Sequence, residues 1–126
     1  MAKLLLIACG GGAGALLRYV ASGWGQRLTD GTFPVGTLLV NVSGCLLIGF
    51  VGTYFSGPLL VREEVRLAVL VGFLGGFTTF STFGWETFAL LADREWWGAA
   101  CNVLLSNALG LLALWAGIRL AVAQGA

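Results

Sequence analysis

Four stretches of the chain stay apolar for about 20 residues or more, the length a helix needs to cross roughly 30 Å of hydrocarbon. They run from Leu4 to Trp24, Thr37 to Phe55, Leu67 to Ala92 and Trp97 to about Val122. Turn-forming and charged residues are confined to the short pieces between them: Gly25 to Gly36, with Arg27, Asp30-Gly31 and Pro34; Ser56 to Arg66, with Gly57-Pro58 and four charges; and the tight polar hairpin Asp93-Arg94-Glu95-Trp96. The pattern predicts an all-α membrane protein, a single four-helix transmembrane domain over residues 1–126. Trp24, Trp96 and Trp97 fall where interfacial aromatic belts belong. Lys3 to Ala15 has the outline of a signal peptide, but the apolar pattern continues through Leu16, Leu17, Tyr19 and Val20, which favours a retained span. A bacterial-type inner (plasma) membrane is the expected address.

Composition sharpens this picture. Of the 126 residues 58% are hydrophobic and 10% charged, whereas soluble domains carry about 25% charge. So few charges could not cover the surface that a small soluble domain leaves in water. Glycine contributes 20 residues and proline 2, with no period of three, so collagen-like and low-complexity chains are excluded. In a membrane, glycine signals close helix packing, and Gly10-xxx-Gly14 and Gly72-xxx-Gly76 have the small-xxx-small spacing. The formal charge is +1 and histidine is absent, which removes a nucleic-acid patch and the usual parts of metal or His-based catalysis. Cys9, Cys45 and Cys101, without any C-x-x-C pair, read as small buried hydrophobes. Gly10-x-Gly12-x-x-Ala15 followed by Asp30 imitates a dinucleotide fingerprint, but no buried strand or βα alternation accompanies it. No nucleophile and base pair is visible either, so an enzyme is not expected.

Charge distribution bears on orientation. With four spans the termini and the middle loop share a side bearing Lys3, Arg62, Arg66 and Arg119, against Arg18, Arg27 and Arg94 opposite. Positive charge sets topology, so four against three is nearly a tie and predicts copies inserted either way up; the alternative is a modest bias that fixes a single orientation. An antiparallel homodimer with its two-fold axis in the membrane plane is the arrangement that uses both.

Polar groups at membrane depth are costly and mark function. Most lie in the third span, where Gly75-Gly76 precedes Thr78 and Thr79, a composition that breaks helices near Gly75 to Thr79. Carbonyls freed there must be satisfied by protein, water or an ion. Two readings stay open: a structural cation near Gly75 to Thr78, or a packed kink whose hydroxyls bond back to i−4 carbonyls. Thr79, Thr82 and Glu86 stand at i, i+3 and i+7, beside Phe80 and Phe83 at i and i+3. Hydroxyls can donate to an anion, and the positive edge of a phenyl ring can face one. The other reading of the aromatic stripe is that it faces lipid or core. Asn41 interrupts the second span with two amide donors, and Asn102, Ser106 and Gly110 form one polar, small-residue face of the fourth, which could equally be interhelical glue. Arg18, about 9 Å by helical rise from the Trp24 end, could snorkel to the interface or cap a vestibule.

These residues together resemble a known family. The run Phe33 to Gly44, with Asn41, and the run Gly72 to Phe83, with Glu86, are similar to the Fluc (CrcB-type) bacterial fluoride channels, and the similarity extends from Gly11 through Arg18-Tyr19 to Ser106 through Gly117. The resemblance implies a dual-topology homodimer with two fluoride pores and a central Na⁺ that is structural and not conducted. By motif match, Gly75 and Thr78 would give backbone carbonyls to the Na⁺. Phe80 and Phe83 would be the pore phenylalanines and Asn41 the pore amide. Thr79, Ser81, Thr82 and Ser106 would be hydroxyl-track candidates, with Glu86 toward one pore end. Asn102 stands where many relatives have an aromatic hydroxyl, and Gly84-Trp85 replace small polar residues. The implied function is passive export of fluoride, which enters acidified surroundings as HF and is trapped as the anion in the cytoplasm. The alternative is a proton-coupled exporter of the small multidrug-resistance type, which would want an acid deep in the first span, where only Arg18 stands.

Overall fold

A computed structural model describes residues 1–57 and 61–126, so Pro58 of the expected Gly57-Pro58 turn lies outside the described residues. Among the described residues, four helices are long and apolar enough to cross a membrane: Ala2–Gln26, Val35–Tyr54, Glu63–Ala92 and Trp96–Ala123. The protein is therefore all-helical and multi-pass. Each helix outruns the apolar stretch that predicts it by a few residues at one or both ends, because polar residues such as Gln26 and Glu63 continue the turn into the interfacial region. We call the first two α1 (Ala2–Gln26) and α2 (Val35–Tyr54) and the last α5 (Trp96–Ala123). The third is two pieces. α3 opens as an ordinary helix at Glu63–Leu67, widens to a π-helical stretch over Ala68–Leu74 and tightens again over Gly75–Phe77; α4 follows as Phe80–Ala92. The interruption falls within the expected Gly75 to Thr79 stretch, with the glycine pair still helical and the two threonines extended.

The burial pattern is inverted relative to a soluble domain. Among the described residues the buried apolar core is Val40, Leu74, Phe77, Leu90, Ala99 and Ala121, whereas Leu4, Leu16, Tyr19, Trp97, Leu104 and Trp115 are exposed. Lipid is the solvent that covers such a surface without penalty. Cys9 and Cys101, expected to be buried, are exposed on these outer faces, and Cys45 is half-buried. A thiol is apolar enough to sit in hydrocarbon, so the apolar runs around Cys9 and Cys101 did not require an interior position.

What takes the place of a hydrophobic core is backbone approach. α1 lies chiefly against α3 and α2 against α5. A Cβ at Gly10 or Gly14 would run into the Ala68 or Phe73 carbonyl, and one at Gly72 or Gly76 into the Ile7 or Gly11 carbonyl, so the two small-xxx-small faces pack on each other. Gly49 and Gly117 meet the Leu114 and Leu46 carbonyls in the same way. Gly10, Gly12 and Ala15 lie within one continuous helix, which disposes of the dinucleotide imitation.

Short loops are stapled by side chains. Gln26 donates to the carbonyls of Phe33 (3.0 Å) and Gly31 (3.3 Å) and accepts from the Gly36 N–H (3.3 Å). The Thr32 hydroxyl reaches Glu95 Oε2 at 2.8 Å, tying the first loop to the last hairpin, whose Arg94 turns with φ 61°. At the opposite end Lys3 Nζ pairs with Glu63 Oε1 at 2.6 Å.

Candidate functional site

The interruption of the third span builds the site. Thr78 (φ −86°, ψ 157°) and Thr79 (φ −150°, ψ 118°) are extended, so the helical ladder stops. Asn41, about a third of the way along α2, takes over. Its Oδ1 accepts from the Thr79 N–H at 2.8 Å and its Nδ2 donates to the Thr79 carbonyl at 2.9 Å, so one planar amide pairs with one residue's backbone as a neighbouring strand would. Thr79 in turn caps α4: its hydroxyl accepts from the Thr82 N–H at 3.2 Å and donates to Thr82 Oγ1 at 3.0 Å, with Ser81 Oγ 3.4 Å away. The carbonyls of Gly75 through Thr78 thereby have no i+4 donor: the Thr79 N–H that Gly75 would take goes to Asn41, the Thr82 N–H that Thr78 would take goes to the Thr79 hydroxyl, and the ladder does not bridge from Gly76 and Phe77 into α4. The Thr78 hydroxyl bonds back to the Leu74 carbonyl at 3.0 Å, which is the packed-kink bond, so that reading holds for Thr78 and not for Thr79.

Around this junction lies a cavity of about 350 Å³ to which Asn41, Thr78, Thr79, Phe80, Phe83 and Ser106 all contribute. The Phe80 and Phe83 rings are tilted at 47° with centroids 5.4 Å apart. Phe80 is 83% exposed, projecting from the single chain, while Phe83 is half-buried. Gly75 and Ser81 are exposed outside the lining.

Two further cavities continue toward the first loop. One of about 210 Å³ is lined by Arg18, Ser22, Thr37, Thr79 and Thr82, and one of about 320 Å³ by Thr37, Thr82 and Glu86 with Gln26 and Thr32. Thr79 is common to the first two cavities and Thr82 to the last two. Arg18 therefore faces a cavity together with three threonines and one serine, Ser22, toward the chain's first-loop end. The face of Thr79, Thr82 and Glu86 spans all three spaces, although Thr79 joins it as the cap of α4 and not as a helical residue. Glu86 Oε1 accepts from the Thr37 hydroxyl at 2.7 Å, and its Oε2 is buried with no partner among the described residues.

Some lining residues escaped the sequence reading. Cys45 and Ile48, at i+4 and i+7 from Asn41, share its face, a signal that was available in the spacing. Asn107 also lines the large cavity, and Thr87 joins Asn102 across α4 and α5 at 2.9 Å; neither stands on a stripe of polar residues.

Against known proteins, the family described as "CrcB-like protein, Camphor Resistance (CrcB)" matches residues 5–118. The chain belongs to the CrcB family. Among curated relatives it is 48% identical over 121 residues to the fluoride-specific ion channel FluC of Geobacter sulfurreducens, covering 96% of this chain and 98% of that one. It is 47% identical to the protein of the same name from Solibacter usitatus (94% and 98% covered) and 48% identical to that of Desulforapulum autotrophicum (94% of each). The resemblance read from the Phe33 to Gly44 and Gly72 to Phe83 motifs is thus shown, and these relatives of the CrcB-family chain are named as ion channels.

Proposed function

We propose that the chain is a fluoride channel of the bacterial inner membrane, giving cytoplasmic fluoride a passive way out and so lowering its toxicity. The observation that carries this reading is the meeting of Asn41, Thr79, Phe80, Phe83 and Ser106 around one cavity in a chain whose relatives bear that name. Fluoride is a small anion that accepts hydrogen bonds, and a pathway for it must replace water by donors without holding it as an arginine or lysine would. Hydroxyls of Thr79, Ser81, Thr82 and Ser106, the Asn41 amide and the edges of Phe80 and Phe83 are donors of that moderate kind. Asn41 fixes the Thr79 backbone, Thr79 caps α4, and the cap places Phe80 and Phe83 in the lining of the cavity. Arg18 and Glu86 stand at the first-loop end, where Arg18 attracts anions and the Thr37 hydrogen bond holds Glu86 aside.

In one chain the large cavity is open and Phe80 projects from it, which supports completion by a second, antiparallel copy and two pores per dimer. The near-balanced flanking charges favour that dual topology. The Gly75 and Thr78 carbonyls, relieved of their helical donors, suit a hard cation, and Na⁺ shared between two copies would supply a fixed structural charge at the junction without being conducted.

Reconstituted vesicles loaded with fluoride, read with a fluoride electrode, test the reading. Fluoride should leave and chloride should stay; equal passage of chloride ends the proposal. Phe80→Ile should cut fluoride efflux at least tenfold while the purified dimer persists, and unchanged efflux would take the ring out of the pathway.

A further inference from the structure

Behind the Ser106 wall of the large cavity lies a buried hydrogen-bond chain that the proposed pathway does not use. Asn102 is 1% exposed, so its amide has no water to turn to. The Thr87 hydroxyl donates to the Phe83 carbonyl at 2.8 Å, which commits its only proton. The Thr87 oxygen can then only accept. Asn102 must present its NH₂ there, at 2.9 Å, because the reversed amide would set oxygen against oxygen. The Asn102 carbonyl oxygen is thereby aimed at Ser106, whose hydroxyl donates to it at 3.5 Å. That distance is well beyond the roughly 2.7–2.8 Å of an ordinary O–H···O bond, so the proton is directed toward Asn102 but only loosely held.

We infer that Asn102 is a positioning residue that sets the direction of the Ser106 hydroxyl, with Thr87 fixing the sense of its amide, and so tunes how readily the α5 wall gives a proton to a passing anion. This rests on the proposed anion pathway. With Asn102 as it stands, the Ser106 proton has a weak resting partner and swings to an anion in the cavity without leaving a strong bond. Without an acceptor at 102, the Ser106 hydroxyl falls back on the carbonyl four residues earlier in its own helix, the usual alternative for a helical serine, and that partner holds it more tightly. The Phe83 carbonyl at the far end of the chain couples the same network to the aromatic wall.

Fluoride efflux from vesicles separates this role from mere packing. Interhelical hydrogen bonds in membranes correspond to about a threefold effect, so Asn102→Leu and Thr87→Val are each expected to slow efflux about threefold. Thr87→Ser, which keeps the hydroxyl, should match wild type. In a Ser106→Ala background neither substitution should slow efflux further, because the group they act through is gone. Slowing of equal size with and without Ser106, or no slowing by either variant in its presence, overturns the inference while wild-type efflux leaves the pathway intact. Should Asn102→Leu fail to assemble as a dimer on size exclusion, Thr87→Val and Thr87→Ser carry the same comparison. Absence of fluoride efflux from wild type would remove the pathway reading, and this inference with it.

Discussion

Two contacts inside the bundle use opposite means. Along the α1 and α3 seam, backbone lies on backbone with glycine at each crossing, and the polar pair that joins the two helices, Lys3 with Glu63, sits exposed at its end. Where α2, α4 and α5 surround the threonine junction, side chains hold the helices apart and leave a cavity of about 350 Å³ lined by amides, hydroxyls and phenyl rings. The difference shows how a lipid-soluble bundle keeps a hollow. Without a hydrophobic force between helices, close packing and hydrogen bonds must do the joining, and the tight seam anchors α3 firmly enough for the interruption beyond it to be held in one conformation. The π-helical stretch lies in that seam, so the widened turn is where α3 adjusts its glycines to α1.

The largest effect should come from attacking the seam. Gly14→Val places a Cβ against the Phe73 carbonyl and 2.9 Å from the Phe77 N, both backbone atoms that cannot move aside. It should cost about 3 kcal/mol or more and abolish monodisperse protein on size exclusion. Gly12→Ala, with nothing within 4 Å of the new carbon, should leave the thermal midpoint unchanged or raise it by up to about 1 kcal/mol of stability. Equal damage at the two positions would dissolve the distinction between seam and outer face.

Next comes the junction. Asn41→Leu removes both hydrogen bonds to the Thr79 backbone, orphaning groups that cost about 1–3 kcal/mol each, and should abolish efflux together with a lower unfolding midpoint. A variant as stable as wild type would mean that the threonines break the helix unaided.

A smaller effect is expected at the first-loop end. Thr37→Val takes away the donor to Glu86 Oε1 at 2.7 Å, and a hydrogen bond of about 1 kcal/mol predicts roughly fivefold slower efflux with assembly retained. Smallest of all is the Lys3 and Glu63 pair, exposed at 46% and 73%. Lys3→Ala should alter neither efflux nor, in 1 M salt, the unfolding midpoint, since screened surface pairs contribute little.

The chain's periodicity alone located the four membrane-crossing helices, because sustained hydrophobicity over about 20 residues has one cheap solution in a bilayer. The motifs in the second and third spans likewise pointed to Asn41, Thr79, Phe80 and Phe83 before any coordinates. Local composition placed the interruption within Gly75 to Thr79 but not the residues that carry it: the seam needs a helix at Gly75-Gly76, and the extended residues are Thr78 and Thr79, the latter held by Asn41. Cysteine burial was misjudged for a related reason, since an apolar run says that a residue avoids water but not whether lipid or protein receives it.

Hydrophobic spacing and glycine content were thus enough to determine the solvent and the helix count, and the polar interruptions marked the candidates around the junction, since each follows from the chain's own transfer energetics. Pairings across helices were decided only in three dimensions: Thr37 with Glu86, Asn102 with Thr87 and Ser106, and Thr32 with Glu95. A hydrogen bond depends on distance and direction between atoms far apart in the chain, and neither is set until glycine contacts have fixed how closely and at what height the helices lie.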